Sequence, residues 1–155
     1  MSAEILRALT LSVYPFQLME RAVEYSLGFG SASRNTINVA PILFSTKNDA
    51  SAMHPGNLGY ADSNAWSAGD DSTDAASQKQ PVSSFTVLDT LLQHYADAKR
   101  YPSMKTIHFA GHGAGAQMLS RWAVVGADNP APGRLSVRYI IGESRLLSIS
   151  TRIRD

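Results

Sequence analysis

The sequence contains no cysteine, which excludes disulfides, thiolate nucleophiles and cysteine-ligated zinc or iron–sulfur sites and leaves the redox compartment open. It also has no excess of either charge, since 14 Lys plus Arg stand against 13 Asp plus Glu for a formal net charge of +1. Proteins that neutralise nucleic-acid phosphates need a basic footprint, so a nucleic-acid partner is not expected. No apolar run approaches the roughly 18 residues of a membrane span. Residues 1–30 are interrupted by Glu4 and Arg7 and lack an apolar segment leading to a small-residue cleavage site, so no signal peptide is read. The expectation is a cytoplasmic protein with no membrane partner. What remains is an ordinary globular composition of 155 residues, 44% hydrophobic and 8% aromatic, with 11 glycines and 7 prolines. That length suits one core, so a single domain is expected over 1–155.

Periodicity divides the chain into elements. From Pro15 to about Leu27, Phe16, Leu18, Met19, Val23 and Leu27 recur near helical spacing, and Gly28 and Gly30 end the helix. Ile5, Leu6, Leu9 and Val13 fit a helix that Pro15 would terminate or kink. Thr36 to Phe44 is β-branched and nearly continuously apolar, as a buried parallel strand is, although Pro41 supplies no ladder donor and suggests an end at Ala40. Residues 45–83 turn to Ser, Asp, Asn, Gly and Ala without a clear period and read as one long polar loop. Ser84 then caps a helix carrying Phe85, Leu88, Leu91, Leu92 and Tyr95, which ends by Tyr101 and Pro102. Thr106 to Ala110 reads as a strand, Gly111 to Gly115 as a tight turn, Ala116 to Val125 as a helix stopped by Gly126, and Val137 to Ile141 as a further strand. Strands alternating with helices of this length predict parallel βαβ units and a three-layer α/β/α sandwich with a mainly parallel sheet.

The most informative stretch is Ile107-His108-Phe109-Ala110-Gly111-His112-Gly113-Ala114-Gly115-Ala116-Gln117. A G-x-S-x-G nucleophile elbow needs small residues around its serine, because the chain reverses sharply from strand to helix. Gly111, Ala114 and Gly115 meet that demand, but Gly113 stands where the serine belongs. From about Asn38 to Ile141 the chain resembles fungal α/β-hydrolase-like proteins. The matching residues are Val39-Ala40-Pro41, Trp66 with Gly69, Ser83-Ser84-Phe85 with Val87-Leu88-Asp89, Tyr101-Pro102 with Lys105 and Ile107, Gly111-His112 with Gly115 and Gln117, and Val137-Arg138-Tyr139-Ile140.

The resemblance implies a partial α/β-hydrolase fold of the esterase and lipase type, but it does not carry the activity over. Gly113 has no oxygen with which to attack a carbonyl carbon. Relatives also have an upstream strand ending in His-Gly that supplies the second oxyanion donor, and their triad acid and histidine follow the nucleophile. No histidine follows Gly113 in the 155 residues. What the resemblance leaves is a degenerate elbow of His112, Gly113 and Ala114, with the Ala114 N–H as one oxyanion donor. The segment 142–155 departs from the family after Ile141, as read-through into an intron would produce, so a truncated product is expected.

Other candidates are weaker. His54, His94, His108 and His112 show no metal-ligand spacing, since His108 lies on a strand and His112 in a turn. Gly111, Gly113 and Gly115 lack the third-glycine spacing and following acidic residue of a dinucleotide fingerprint. Asp62, Asp70, Asp71 and Asp74 make the long loop acidic but lack the alternation of a calcium loop. Trp66 reads as an anchor of that loop or a substrate contact, and Ser120 lies on a helix well past the elbow. No metal and no cofactor are expected. The predicted function is that of a pseudoenzyme, with two alternatives: an esterase- or lipase-like hydrolase accessory to fungal secondary metabolism, or an interaction module. The partner would be a small molecule or protein, self-association through open sheet edges included.

Overall fold

A computed structural model describes residues 37, 39–54, 56–73 and 80–142. The helix expected over 15–27, the apolar stretch before it, Asp74 and the segment beyond Gly142 lie outside the described residues. The chain divides into two compact units, Met1–Ala8 with Leu43–Asp155, and Leu9–Ile42.

Of the strand expected over Thr36 to Phe44, Thr36 and Asn38 lie outside the described residues, and among the described ones the first strand begins only at Phe44. Strand β1 is Phe44–Ser45, and it pairs in parallel with β2, Gly59–Tyr60. Pro41, which gives the ladder no donor, precedes the strand instead of interrupting it.

The segment expected to be one irregular loop holds several short elements. A 3-10 turn spans Ala50–Ala52, and helix α1 spans Ser63–Ala68. The Asp62 side chain accepts from the amides of Asn64 and Ala65 at 2.8 and 3.0 Å, an N-cap, and Gly69 at φ 96° closes the other end. Polar side chains hold the intervening turns: Asp49 accepts from the Ser45 amide, Asn57 from the His54 amide and Ser72 from the Val82 amide. These serines, aspartates and asparagines act as backbone partners, which is why the segment has structure without hydrophobic periodicity.

Helix α2, Ser84–Ala96, buries Val87, Leu88, Leu91, Leu92 and Ala96. Its cap is Ser83, one residue earlier than expected, whose hydroxyl accepts from the Phe85 amide and donates to the Gly69 carbonyl. Ser84 is instead the first helical residue, fully buried, and donates to the Trp66 carbonyl at 2.7 Å. The helix stops at Ala96, short of Tyr101, where Arg134 donates to the freed Ala96 carbonyl.

Strand β3, Thr106–His112, pairs in parallel with β4, Ser136–Gly142, in register from Thr106↔Ser136 to His112↔Gly142. Helix α3, Ala114–Val125, packs on both. Phe109, Trp122 and Tyr139 meet there, with the indole 4.7 Å from the Phe109 ring and 5.5 Å from that of Tyr139. The Trp122 indole N–H and the Ala127 amide both donate to Asp89 of α2 at 2.8 Å, so one carboxylate ties α2 to the last turn of α3 and to the chain that leaves it. Arg121 ties α3 to α1 through the Ser67 carbonyl at 2.6 Å.

The opposite face of this pair carries His108, Ala110 and His112 of β3 and Arg138 and Ile140 of β4, all exposed, Ile140 at 55%. A parallel sheet covered on both sides buries both faces of its strands, whereas here more and less buried positions alternate along β3 and β4. Helices and short parallel strands in two small sheets thus make a mixed α/β structure. Among the described residues, β3 and β4 have a helix on one face only.

Candidate functional site

The strand-to-helix junction is tighter than its sequence suggests. Gly111 and His112 belong to β3, while Ala114 and Gly115 already belong to α3. The expected five-residue turn is therefore the single residue Gly113, at φ 57° and ψ −120°. That pair of angles lies where side-chain-bearing residues are strained and glycine is not. A Cβ added at Gly113 would meet nothing within 4 Å, so the position has room for a side chain and resists one only through its backbone.

Gly111 is needed for the opposite reason. A Cβ there would come within 2.6 Å of the Gly115 carbonyl group and 2.9 Å of the Ala116 nitrogen, because the first turn of α3 passes directly over the strand end. At Gly115 the demand for a small residue is not met with any crowding, since its added Cβ has no neighbour within 4 Å. Ala114 heads the helix, so its N–H is among the first-turn amides that have no intrahelical carbonyl to bond. The Gln117 amide makes the first such bond, to the Gly113 carbonyl at 3.1 Å.

The other candidates are dispersed. His112 is exposed at the end of β3, on the same face as His108 and Ala110. His54 is exposed beside the 3-10 turn. His94 lies at the end of α2, where its Nε2 meets the Tyr101 hydroxyl at 2.9 Å. Asp62 caps α1, and Asp71 forms a β-bridge with Ser83. Among the described residues no three His, Asp or Glu side chains form a group that could hold a metal. Ser120 donates its hydroxyl to the Ala116 carbonyl at 2.8 Å and so faces its own helix. Trp66 is half-buried on α1.

Sequence reasoning foresaw the contacts of none of three polar groups that carry weight here. Asp89 reads as one more charge on an amphipathic helix, and only the fold brings it to Trp122. His94 and Tyr101 are seven residues apart with a helix end between them. Tyr60 is fully buried, its hydroxyl has no hydrogen-bond partner among the described residues, and burial first, then the Asp71 carboxylate, pushes its phenol well above the ordinary tyrosine range. Among the described residues, no helix is long and apolar enough to cross a membrane. Compared with known families, characterised proteins and solved structures, the chain finds no match.

Proposed function

We propose that this chain is a hydrolase-like α/β protein without hydrolysis of its own, a pseudoenzyme built around an elbow that has lost its nucleophile. The observation that carries the reading is Gly113, the only residue between β3 and α3, at φ 57° and ψ −120°. An elbow of this kind exists to raise one side chain above the end of a strand, beside the first amides of a helix. Here the position has the backbone and the space but no oxygen. The resemblance to α/β-hydrolases, with a three-layer sandwich and Ala114 as the remaining oxyanion donor, belongs to this reading. A binding role for a small molecule or protein follows from it.

Short p-nitrophenyl esters offered to the purified chain and to a Gly113→Ser variant test the reading. Neither is expected to release nitrophenol above background. A restored hydroxyl still needs a general base, and no histidine follows position 113 in the sequence. Turnover by the natural chain refutes the proposal.

A second reading, an interaction module that pairs with another copy of the chain, is favoured by the open face of β3 and β4 with Ile140 exposed at its centre. Light scattering after size exclusion decides it: a dimer that Ile140→Asp returns to monomer supports pairing, and a monomer at every concentration ends it.

A further inference from the structure

Away from the elbow, a group of chemistry-bearing side chains lies where α2 ends. His94 sits in the last turn, and the chain then folds back on Asp97. The Asp97 carboxylate accepts from the Lys99 amide at 2.9 Å, and the Asp97 carbonyl accepts from the amides of Arg100 and Tyr101 at 3.2 and 2.8 Å. This return brings the Tyr101 hydroxyl to Nε2 of His94 at 2.9 Å. The Tyr95 ring closes the other side, 4.9 Å from the imidazole and 5.1 Å from the Tyr101 ring. Arg100 meets the remaining imidazole nitrogen, Nδ1, at 3.5 Å, while its Nε lies 3.5 Å from the Asp97 carboxylate.

A guanidinium has donors and no acceptor, so Nδ1 must accept from Arg100. The ring proton then sits on Nε2 and is donated to the Tyr101 oxygen. Only the neutral imidazole, in this one tautomer, satisfies both partners. We propose that the 97–101 turn is a proton-operated latch: neutral His94 holds Arg100 and Tyr101 against the end of α2, and a proton gained from solvent at Nδ1 releases Arg100. The N–H bond that forms at Nδ1 is matched by the O–H bond that breaks in the hydronium ion supplying the proton, and the hydrogen bond from Arg100 is lost. After the N–H forms, two donors and two positive charges face each other.

The groups facing the ring among the described residues are Arg100, Asp97 and the phenols of Tyr95 and Tyr101. Arg134, from the segment before β4, reaches the same helix end but donates to the Ala96 and Met104 carbonyls. Burial first and Arg100 second disfavour the imidazolium, and Asp97 favours it; the balance holds His94 below the ordinary histidine value. A histidine whose folded value is lowered contributes stability that is present above its ordinary value and lost as pH falls. The latch is therefore closed at neutral pH and opens in acid. It lies just ahead of Thr106, where the strand leading to the elbow begins.

Histidine ring resonances of the full chain, followed against pH by NMR and assigned with His94→Gln, test the latch beside Arg100→Gln. The expected results are a His94 midpoint below that of an unfolded histidine and an upward shift of that midpoint in Arg100→Gln. Amide protection at residues 99–101 should fall through the same midpoint. Arg100 is exposed, with its side chain 63% accessible, so the variant is expected to fold. A midpoint at or above the unfolded value, no shift in the variant, or protection indifferent to the titration overturns the proposal.

Discussion

Replacing Gly113 by alanine adds one methyl group at the residue that joins β3 to α3. That methyl would touch nothing within 4 Å, so the change isolates the backbone from the packing. Holding a side-chain-bearing residue at φ 57° and ψ −120° costs roughly 1–3 kcal/mol. Alanine also restricts the unfolded chain, which returns about 0.4–1 kcal/mol. The net expectation is a loss of about 1–2 kcal/mol, of the order of a tenfold shift in the folding equilibrium. Urea unfolding followed by tryptophan fluorescence reads it, since Trp122 is fully buried in the native state. Gly115→Ala, two residues on and inside α3, provides the control: with the same added methyl and no clash, it should stabilise by about 0.5–1 kcal/mol through helix propensity. Gly111→Ala should be the worst of the three, because its methyl meets helix backbone at 2.6 Å. If Gly113→Ala proves as stable as the natural chain, or if the 113 and 115 changes share a sign, the elbow is not strained and its glycine needs another explanation.

Two further outcomes follow from the buried polar groups. Asp89→Ala leaves a buried indole N–H and the Ala127 amide without their acceptor, and should lower stability by about 3 kcal/mol in the same urea assay. Asp89→Asn keeps one carbonyl oxygen and should lose less. Tyr60→Phe removes a hydroxyl that no group among the described residues pairs with, so stability should hold or rise. Because burial raises the folded phenol above its ordinary value of 10.0, ionisation favours the unfolded chain. The natural chain should therefore lose stability as pH rises above that value, and Tyr60→Phe should lose less; equal slopes would refute the assignment.

Where hydrophobic spacing repeats, the sequence was a good guide. Phe85, Leu88, Leu91, Leu92 and Tyr95 mark α2, which also buries Val87, and β3, α3 and β4 fall within two residues of their expected bounds. Between 45 and 83 it was not, because elements of two to six residues are too short to show a period. One of them carries local signals that the reading of a single loop passed over: Asp62 before Ser-Asn-Ala and Gly69 after Ala68 start and stop α1. The elbow was legible as small residues in a row, but not which glycine served which purpose. Gly111 yields to helix backbone arriving from above, Gly113 to its own torsion angles, and Gly115 to neither.

By itself the amino-acid sequence determined the chemical limits of this protein: no thiol, balanced charge, and no side-chain oxygen at position 113. It also determined that strand, turn and helix follow one another there, since those preferences are local to a few residues. Only the tertiary structure decided that the turn is one residue long, that Asp89 binds Trp122 from 33 positions away, and that Tyr101 returns to His94. Those pairings depend on where helices end and how closely they pack, and such distances are set by the whole fold at once.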